Sequence, residues 1–111
     1  MEDDSMIVGI PTDDGQTVSG HFGKSKYFVV AKLDGGIIAD KKTVENPHNK
    51  EATEQGGHGE LLKMLVDNKV NVVVCTDLNP RMQENLESLG ILVNRCGNGQ
   101  HIDDLLRSVQ P

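Results

Sequence analysis

The patterned part of the chain begins with a short, uninterrupted apolar run from Met6 to Ile10. A continuous apolar run of this length is typical of a strand that is buried on both faces, and such a strand lies inside its sheet. Proline has no backbone N–H to offer a neighbouring strand, so Pro11 is predicted to end the run. We therefore expect the rest of the sheet to be built outward from this first strand.

The next segments predict a β-hairpin beside that strand. Residues 26–33 and 37–44 have strand character, and the sequence Asp34-Gly35-Gly36 between them is a tight-turn signal. The second arm carries charged residues at positions 40–42, as is common on a sheet edge that is protected from further pairing. This arm is therefore predicted to lie at the edge of the sheet.

Helices and strands alternate in the second half of the chain. Apolar residues at helical spacing predict a helix over 58–68, and β-branched residues predict a strand over 70–75. A second helix is expected to begin at Asn79-Pro80 and to stop at Gly90, because these types favour helix starts and helix ends respectively. A strand over 91–94 and a helix over 102–109 complete the chain.

The resulting order, β-β-β-α-β-α-β-α, predicts an α/β fold. Helical crossovers connect parallel strands, whereas the hairpin connects antiparallel ones. With the first strand in the centre, the sheet is mixed and five-stranded, has the strand order 3-2-1-4-5, and contains strand 2 as its antiparallel member.

Length and composition limit the class of protein further. The 111 residues suit one domain, so we expect a disordered tail over residues 1–5 and a single domain over residues 6–111. The net charge of −6 and the lack of a clustered basic face argue against nucleic-acid binding. The acidic start has no signal-peptide pattern, and no apolar run is long enough to span a membrane. We therefore expect no membrane association and a cytoplasmic location.

The predicted topology brings soft metal ligands to one edge of the sheet. Loops after the parallel strands leave from the carboxyl edge, where ligands bind in open α/β sheets. All four histidines and both cysteines fall in or beside these loops: His21, His48, His58, His101, Cys75 and Cys96. Loops hold polar residues whatever the function, so this convergence alone does not define a site.

His21 is the leading candidate in this set, because it lies between glycines in Ser19-Gly20-His21-Phe22-Gly23, where a ligand could approach. Histidine and cysteine bind borderline-to-soft metals and iron–sulfur clusters. The alternative interpretations are ordinary exposed loop residues for His48 and His101, and a helix-start residue for His58.

The two cysteines also allow more than one interpretation. Cys75 lies near the end of a buried strand, where an inert buried thiol is the simpler expectation. Cys96 ends the neighbouring strand, so a redox pair or a shared metal would follow if the two thiols were in register. No Cys-x-x-Cys motif is present, which argues against a zinc ribbon or a secreted disulfide framework.

Two other patterns define alternative functions. Gly56-Gly57-His58-Gly59 precedes a helix and offers free N–H groups to a small anion, although it serves equally as a flexible hinge. Asp13, Asp14 and Asp77 could hold divalent metals in a phosphoesterase or nuclease. They are also ordinary turn and loop acids.

The chain resembles the dinitrogenase iron–molybdenum cofactor-binding family of bacterial and archaeal cofactor carriers and assembly proteins. The resemblance rests on residues 10–15, on Val18-Ser19-Gly20-His21-Phe22-Gly23, and on the strand with Tyr27-Phe28. It continues through Asn46, Gly57-His58-Gly59 and Leu89-Gly90-Ile91. Relatives often have a small residue pair after strand four, where this chain has Leu78-Asn79.

This resemblance implies a ribonuclease-H-like fold with three α/β/α layers, without ribonuclease activity. It implies a non-enzymatic, nitrogen-fixation-related protein that transiently binds an iron–sulfur or iron–molybdenum-type cluster. His21 is the leading metal ligand, and the other implied cluster-binding residues are His58, Cys75, Ser19 and Gly57. The implied partners are proteins that donate or accept the cluster, and the expected assembly is a monomer or a weak homodimer.

Overall fold

The structure is a computed structural model that describes residues 5–22, 24–35, 37–46, 57–78, 80–97 and 99–108, and it describes residues 57–60 by their backbone alone. In chain order the elements are β1 (Ser5–Thr12), β2 (Tyr27–Asp34), β3 (Ile37–Glu45), α1 (Gly57–Asp67), β4 (Val72–Cys75), α2 (Pro80–Ser88), β5 (Leu92–Arg95) and α3 (Ile102–Ser108). The segment assigned to the tail overlaps β1 at Ser5, and residues 1–4 lie outside the described residues.

The five strands form one mixed sheet with the order β3-β2-β1-β4-β5. β2 is antiparallel to both β1 and β3, whereas β4 is parallel to β1 and β5 is parallel to β4. The predicted α/β class, strand order and direction of strand 2 are confirmed. β1, β4 and β5 therefore end at the same side of the sheet, which we call the carboxyl edge.

Pro11 does not end β1, and the prediction that it would is wrong. The strand continues to Thr12, and Pro11 pairs with Phe28 of β2. The parallel ladder with β4 is recorded at Val8 and Gly9, before the chain reaches the proline. The missing N–H therefore interrupts no pairing with β4. The Pro11 carbonyl accepts the N–H of Ser19 at 2.8 Å.

Glycine marks two of the predicted boundaries. Gly35 has a φ of 61°, as the tight turn between β2 and β3 requires. Gly90 has a φ of 81° just after α2, and the N–H of Ile91 donates to the Leu86 carbonyl at 3.0 Å. This left-handed ending confirms Gly90 as the stop of the second helix. Pro80 begins α2 as predicted, while its proposed cap, Asn79, lies outside the described residues.

Successive residues of the strands contribute to two hydrophobic clusters. The first core cluster joins α1, α2 and one face of the sheet: Phe22, Phe28, Val30, Leu61, Leu65, Val70, Val73, Cys75, Leu78, Met82, Leu86 and Ile91. The second core cluster joins α3 and the opposite face: Val8, Ile10, Val18, Val29, Ala31, Leu33, Val72, Val74, Ile102, Leu105 and Leu106. Along β4 the side chains alternate between the two faces: Val73 and Cys75 belong to the first core cluster, and Val72 and Val74 belong to the second.

Candidate functional site

The loop that carries His21 is closed at its base. Asp13 directly follows β1, and its Oδ1 accepts the backbone N–H of Lys26 at 2.9 Å. Lys26 directly precedes β2, so this bond continues the pairing of the two strands by one step. The carboxylate of Asp13 therefore holds the two ends of loop 13–26 together.

The first turn of this loop is built around Asp14. Its Oδ1 accepts the N–H groups of Gln16 at 2.8 Å and Thr17 at 2.9 Å. Thr12 Oγ1 accepts the Gly15 N–H at 2.8 Å and lies 2.7 Å from the Thr17 carbonyl. The backbone bonds from Thr17 and Gln16 lower the pKa of Asp14 to about 2. Asp14 thus acts as the acceptor of a structural turn.

The loop then crosses the carboxyl edge of the sheet. Val18 belongs to the second core cluster, and its N–H donates to the Gln100 carbonyl at 2.9 Å. Four residues later, Phe22 belongs to the first core cluster and packs edge-to-face on Phe28, with ring centroids 5.1 Å apart. Since these clusters occupy opposite faces, the segment between Val18 and Phe22 passes over the edge.

His21 lies in this crossing segment, between two anchored residues. Ser19 and Phe22 are each 5% exposed, whereas the side chain of His21 is exposed. The N–H of His21 donates to Ser19 Oγ at 3.1 Å, and the N–H of Ser19 is bonded to Pro11. The backbone is therefore held on both sides of an imidazole that faces solvent. Ser19 contributes its hydroxyl to the turn.

A buried polar network supports the end of the same loop. Asn46 is 1% exposed, and its Nδ2 donates to the Ser25 carbonyl at 2.9 Å and lies 3.5 Å from the Phe22 carbonyl. Ser25 is fully buried, and the N–H of Asn46 donates to the Lys26 carbonyl at 3.0 Å. Asn46 entered the sequence interpretation only through the family resemblance, because nothing local distinguishes a buried asparagine from one in an exposed loop.

The two cysteines lie on opposite faces of the sheet. Cys75 is fully buried in the first core cluster, whereas Cys96 packs against the second. Their backbones meet, since the N–H of Cys96 donates to the Cys75 carbonyl at 2.9 Å, but both thiols are free. The interpretation of the cysteines as a redox pair is therefore wrong. Cys75 pairs with Arg95, and the offset of one residue turns Cys96 the other way.

Accessibility separates these two thiols further. Burial raises the pKa of Cys75 to about 11, which keeps the group protonated at neutral pH. Burial also raises the pKa of Cys96, which is half-buried and lines a cleft of about 380 Å³ beside α3. Cys75 thus occupies the position of a core residue, as its simpler interpretation anticipated.

Of the other three histidines, the structure describes the side chain of His101 only. His101 is exposed and forms an isolated bridge with Thr17 in the His21 loop. α1 begins at Gly57, so the glycine-rich sequence does enter a helix. The side chain of His58 and the whole of His48 lie outside the described residues.

The three aspartates do not form a metal site in the described part of the chain. Asp13 and Asp14 accept backbone N–H groups in the loop, and the side chain of Asp77 is 87% exposed. No group of three or more histidine, cysteine, aspartate or glutamate residues is arranged to hold a metal ion among the described residues. The phosphoesterase or nuclease alternative is not favoured by this arrangement.

Arg95 lies at the carboxyl edge of the sheet, and nothing in the sequence pattern marked it as a candidate site residue. It ends β5, and its Nη2 donates to Gln83 Oε1 at 2.8 Å and to the Leu78 carbonyl at 3.3 Å. Leu78 is itself buried in the first core cluster, where it fills the position after β4. Charged residues are common at strand ends, so the sequence did not single out Arg95. Only its pairing with Cys75 of β4 shows which face of the sheet its side chain lies on.

Comparison of the whole chain with known proteins identifies its class. Residues 4–111 match the family described as dinitrogenase iron–molybdenum cofactor, and the chain belongs to that family. The protein MJ0580 of Methanocaldococcus jannaschii is a relative, 25% identical in an alignment of 105 residues that covers 92% of this chain and 83% of that protein. The family relation places the chain among nitrogen-fixation-related proteins.

Solved structures show the same architecture. The crystal structure of PH0822 is 31% identical to this chain, covers 93% of it with 88% of its own length, and superposes with a TM-score of 0.76. The apo form of the orange protein from Desulfovibrio gigas has a TM-score of 0.75 over 92% of this chain and 84% of its own. At 18% identity, this second likeness concerns the fold alone.

The described helices are short relative to the thickness of a membrane. α1 has 11 residues, about half of what a bilayer-crossing helix needs. No helix in the described ranges has both the length and the apolar character to cross a membrane.

Proposed function

We propose that this protein is a non-enzymatic carrier or chaperone that transiently binds an iron–sulfur or iron–molybdenum-type metallocluster through His21. The observation that carries the proposal is the exposed imidazole on an anchored turn at the carboxyl edge. The family to which the chain belongs supports the type of cargo. Its partners would be the proteins that donate and accept the cluster.

His21 would supply a neutral imidazole nitrogen to an exposed metal of the cargo. The hydroxyl of Ser19 holds the backbone of His21, and the buried ring of Phe22 holds the other side of the turn. Gly57 and His58, at the start of α1, are included in the proposed site on the strength of the family resemblance. Cys75 would not coordinate the cargo, because its buried, protonated thiol is a poor ligand, and it would serve instead as a core residue.

A carrier needs a cargo that can leave, so few protein ligands suit the task better than a closed cage of thiolates. The Asp13, Asp14 and Asp77 carboxylates are not gathered around His21 in the way that a hydrolytic metal site requires. The proposal includes one domain over residues 6–111 and a three-layer, ribonuclease-H-like arrangement. The two core clusters on opposite faces support that arrangement.

Anaerobic reconstitution with Fe²⁺ and sulfide tests this function. We expect visible charge-transfer absorption and retained iron after desalting in the wild-type protein, and loss of both in His21→Ala. His101→Ala is the matched control, since His101 is also exposed and belongs to the strand bridge with the same loop. Equal retention of iron in His21→Ala and the wild type would refute the role of His21. A colourless protein that hydrolyses a phosphodiester with Mg²⁺ or Mn²⁺ would refute the carrier function.

A further inference from the structure

Arg95 lies at the carboxyl edge, on the face of the sheet that carries Phe22, the residue after His21. It is the last residue of β5 and pairs with Cys75, the last residue of β4. Paired residues of neighbouring strands present their side chains to the same face. Cys75 belongs to the first core cluster together with Phe22, the residue after His21.

The guanidinium of Arg95 is held in place. Its Nη2 donates to the side chain of Gln83 at 2.8 Å and to the carbonyl of Leu78 at 3.3 Å. These contacts hold the guanidinium beside α2 and the loop after β4. Leu78, which anchors that loop, shares the first core cluster with Phe22. The guanidinium and the His21 turn thus border the same side of the carboxyl edge.

Some N–H groups of this guanidinium make no hydrogen bond within the described residues. Its Nη1 is 3.9 Å from Asp77 Oδ1, which is an ion-pair distance and too long for a hydrogen bond. Within the described ranges, neither Nε nor Nη1 has a hydrogen-bond acceptor, and the side chain is 48% exposed. A fixed, partly exposed guanidinium with unused N–H groups is well suited to an anion.

The spacing of the strands allows one cargo to reach both groups. β4 separates β1 from β5, so the ends of these two strands are about 10 Å apart at the usual strand spacing. The chain as a whole carries a net charge of −6, which repels an anionic cargo unless a local cation offsets it.

We propose that Arg95 is a second cargo-binding residue, which recognises the negative charge of a sulfide-bearing metallocluster held by His21. This inference rests on the proposed carrier function and adds the charge class of its cargo. His21 supplies the bond to metal, and Arg95 supplies charge-assisted N–H donors to the sulfide surface. The interaction is electrostatic, so it weakens as salt screens it.

The test is iron retention after reconstitution with Fe²⁺ and sulfide, followed over a series of NaCl concentrations. We expect Arg95→Gln to weaken retention about tenfold at low salt, the size of one charge-assisted bond, and to flatten the salt dependence. Arg107→Gln is the matched control, because Arg107 is also an exposed, ion-paired arginine but lies in the last turn of α3. It should retain both the wild-type level of iron and the wild-type salt dependence.

A second variant separates charge from loop anchoring. Gln83→Ala removes the hydrogen bond that holds Arg95 but keeps the guanidinium, so its salt dependence should remain that of the wild type. The inference is overturned if Arg95→Gln behaves like Arg107→Gln, or if Gln83→Ala loses as much iron and salt dependence as Arg95→Gln. If the wild-type protein retains no iron, the carrier function itself fails. If His21→Ala alone loses iron, only the role of Arg95 fails.

Discussion

The side-chain amide of Asn46 donates to the backbone carbonyl of Ser25 at 2.9 Å, and both residues are buried. Asn46 directly follows β3, whereas Ser25 is near the end of the loop that carries His21. This bond therefore ties the edge of the sheet to the site. A buried carbonyl that loses its donor keeps the full cost of its desolvation.

Replacement of Asn46 by alanine should lower the free energy of unfolding by about 1–3 kcal/mol, because the Ser25 carbonyl loses its partner. Urea unfolding followed by circular dichroism measures this change. Asn85→Ala is the control, since Asn85 is half-buried in α2 and its side chain makes no hydrogen bond within the described residues. An effect of Asn46→Ala no larger than that of the control would contradict the role of this network.

The ring of Phe22 should contribute both to stability and to the placement of His21. Phe22 is 5% exposed and packs edge-to-face on Phe28. Phe22→Ala is expected to cost about 3–5 kcal/mol, and Phe22→Leu should cost less because it leaves a smaller cavity. Thermal unfolding gives the two values, and a smaller loss in the alanine variant than in the leucine variant would contradict this packing.

The turn around Asp14 predicts a specific dependence of stability on pH. Backbone N–H bonds hold the pKa of Asp14 at about 2, below its ordinary value of 3.8. A carboxylate with a lowered pKa stabilises the folded state above its unfolded pKa, and this contribution is lost as the pH falls through the folded pKa. The stability difference between the wild type and Asp14→Asn should therefore be constant near neutral pH and shrink from about pH 4 to about pH 2.

Urea midpoints of the two proteins over that pH range measure the difference. Asp77→Asn serves as the control for the removal of one acidic side chain, because the Asp77 side chain is 87% exposed and lies outside the turn. A difference between the wild type and Asp14→Asn that grows on acidification would contradict the predicted sign.

The separation of the two thiols predicts selective chemistry. N-ethylmaleimide should modify Cys96 in the folded protein and reach the fully buried Cys75 only after unfolding. Mass spectrometry of the digested protein, with and without urea, identifies the labelled residue. Mild oxidation should produce no intramolecular disulfide, since the thiols belong to opposite faces. Detection of a disulfide between Cys75 and Cys96 in folded monomer would contradict the register of β4 and β5.

The strand order was predictable because it depends on local signals. The apolar run of β1, the turn at Gly35 and the helical crossovers each restrict how a neighbouring strand can lie. Pro11 was misjudged because its effect depends on which neighbour would have used its N–H. The neighbour is determined by the pairing of β1 with β2 and β4, which the residue type alone does not reveal.

The parts of the site that were missed depend on the register between distant segments. An offset of one residue directs Cys96 away from Cys75 and turns Arg95 toward Leu78. Sequence spacing could bring the two thiols to one edge but could not assign their faces. The position of His21 was predictable because the glycines around it mark an accessible turn, whereas its support by Asn46 joins segments more than twenty residues apart.

The bond between Asp13 and Lys26 has a consequence for how a cargo would load and leave. Because this clamp and the bond from Val18 to Gln100 already fix the loop, little conformational entropy remains to be lost when the imidazole binds a metal. Capture and release would then proceed without refolding of the chain. The speed of hand-over would be governed by ligand exchange at His21, which a receiving protein could accelerate by offering a competing side chain.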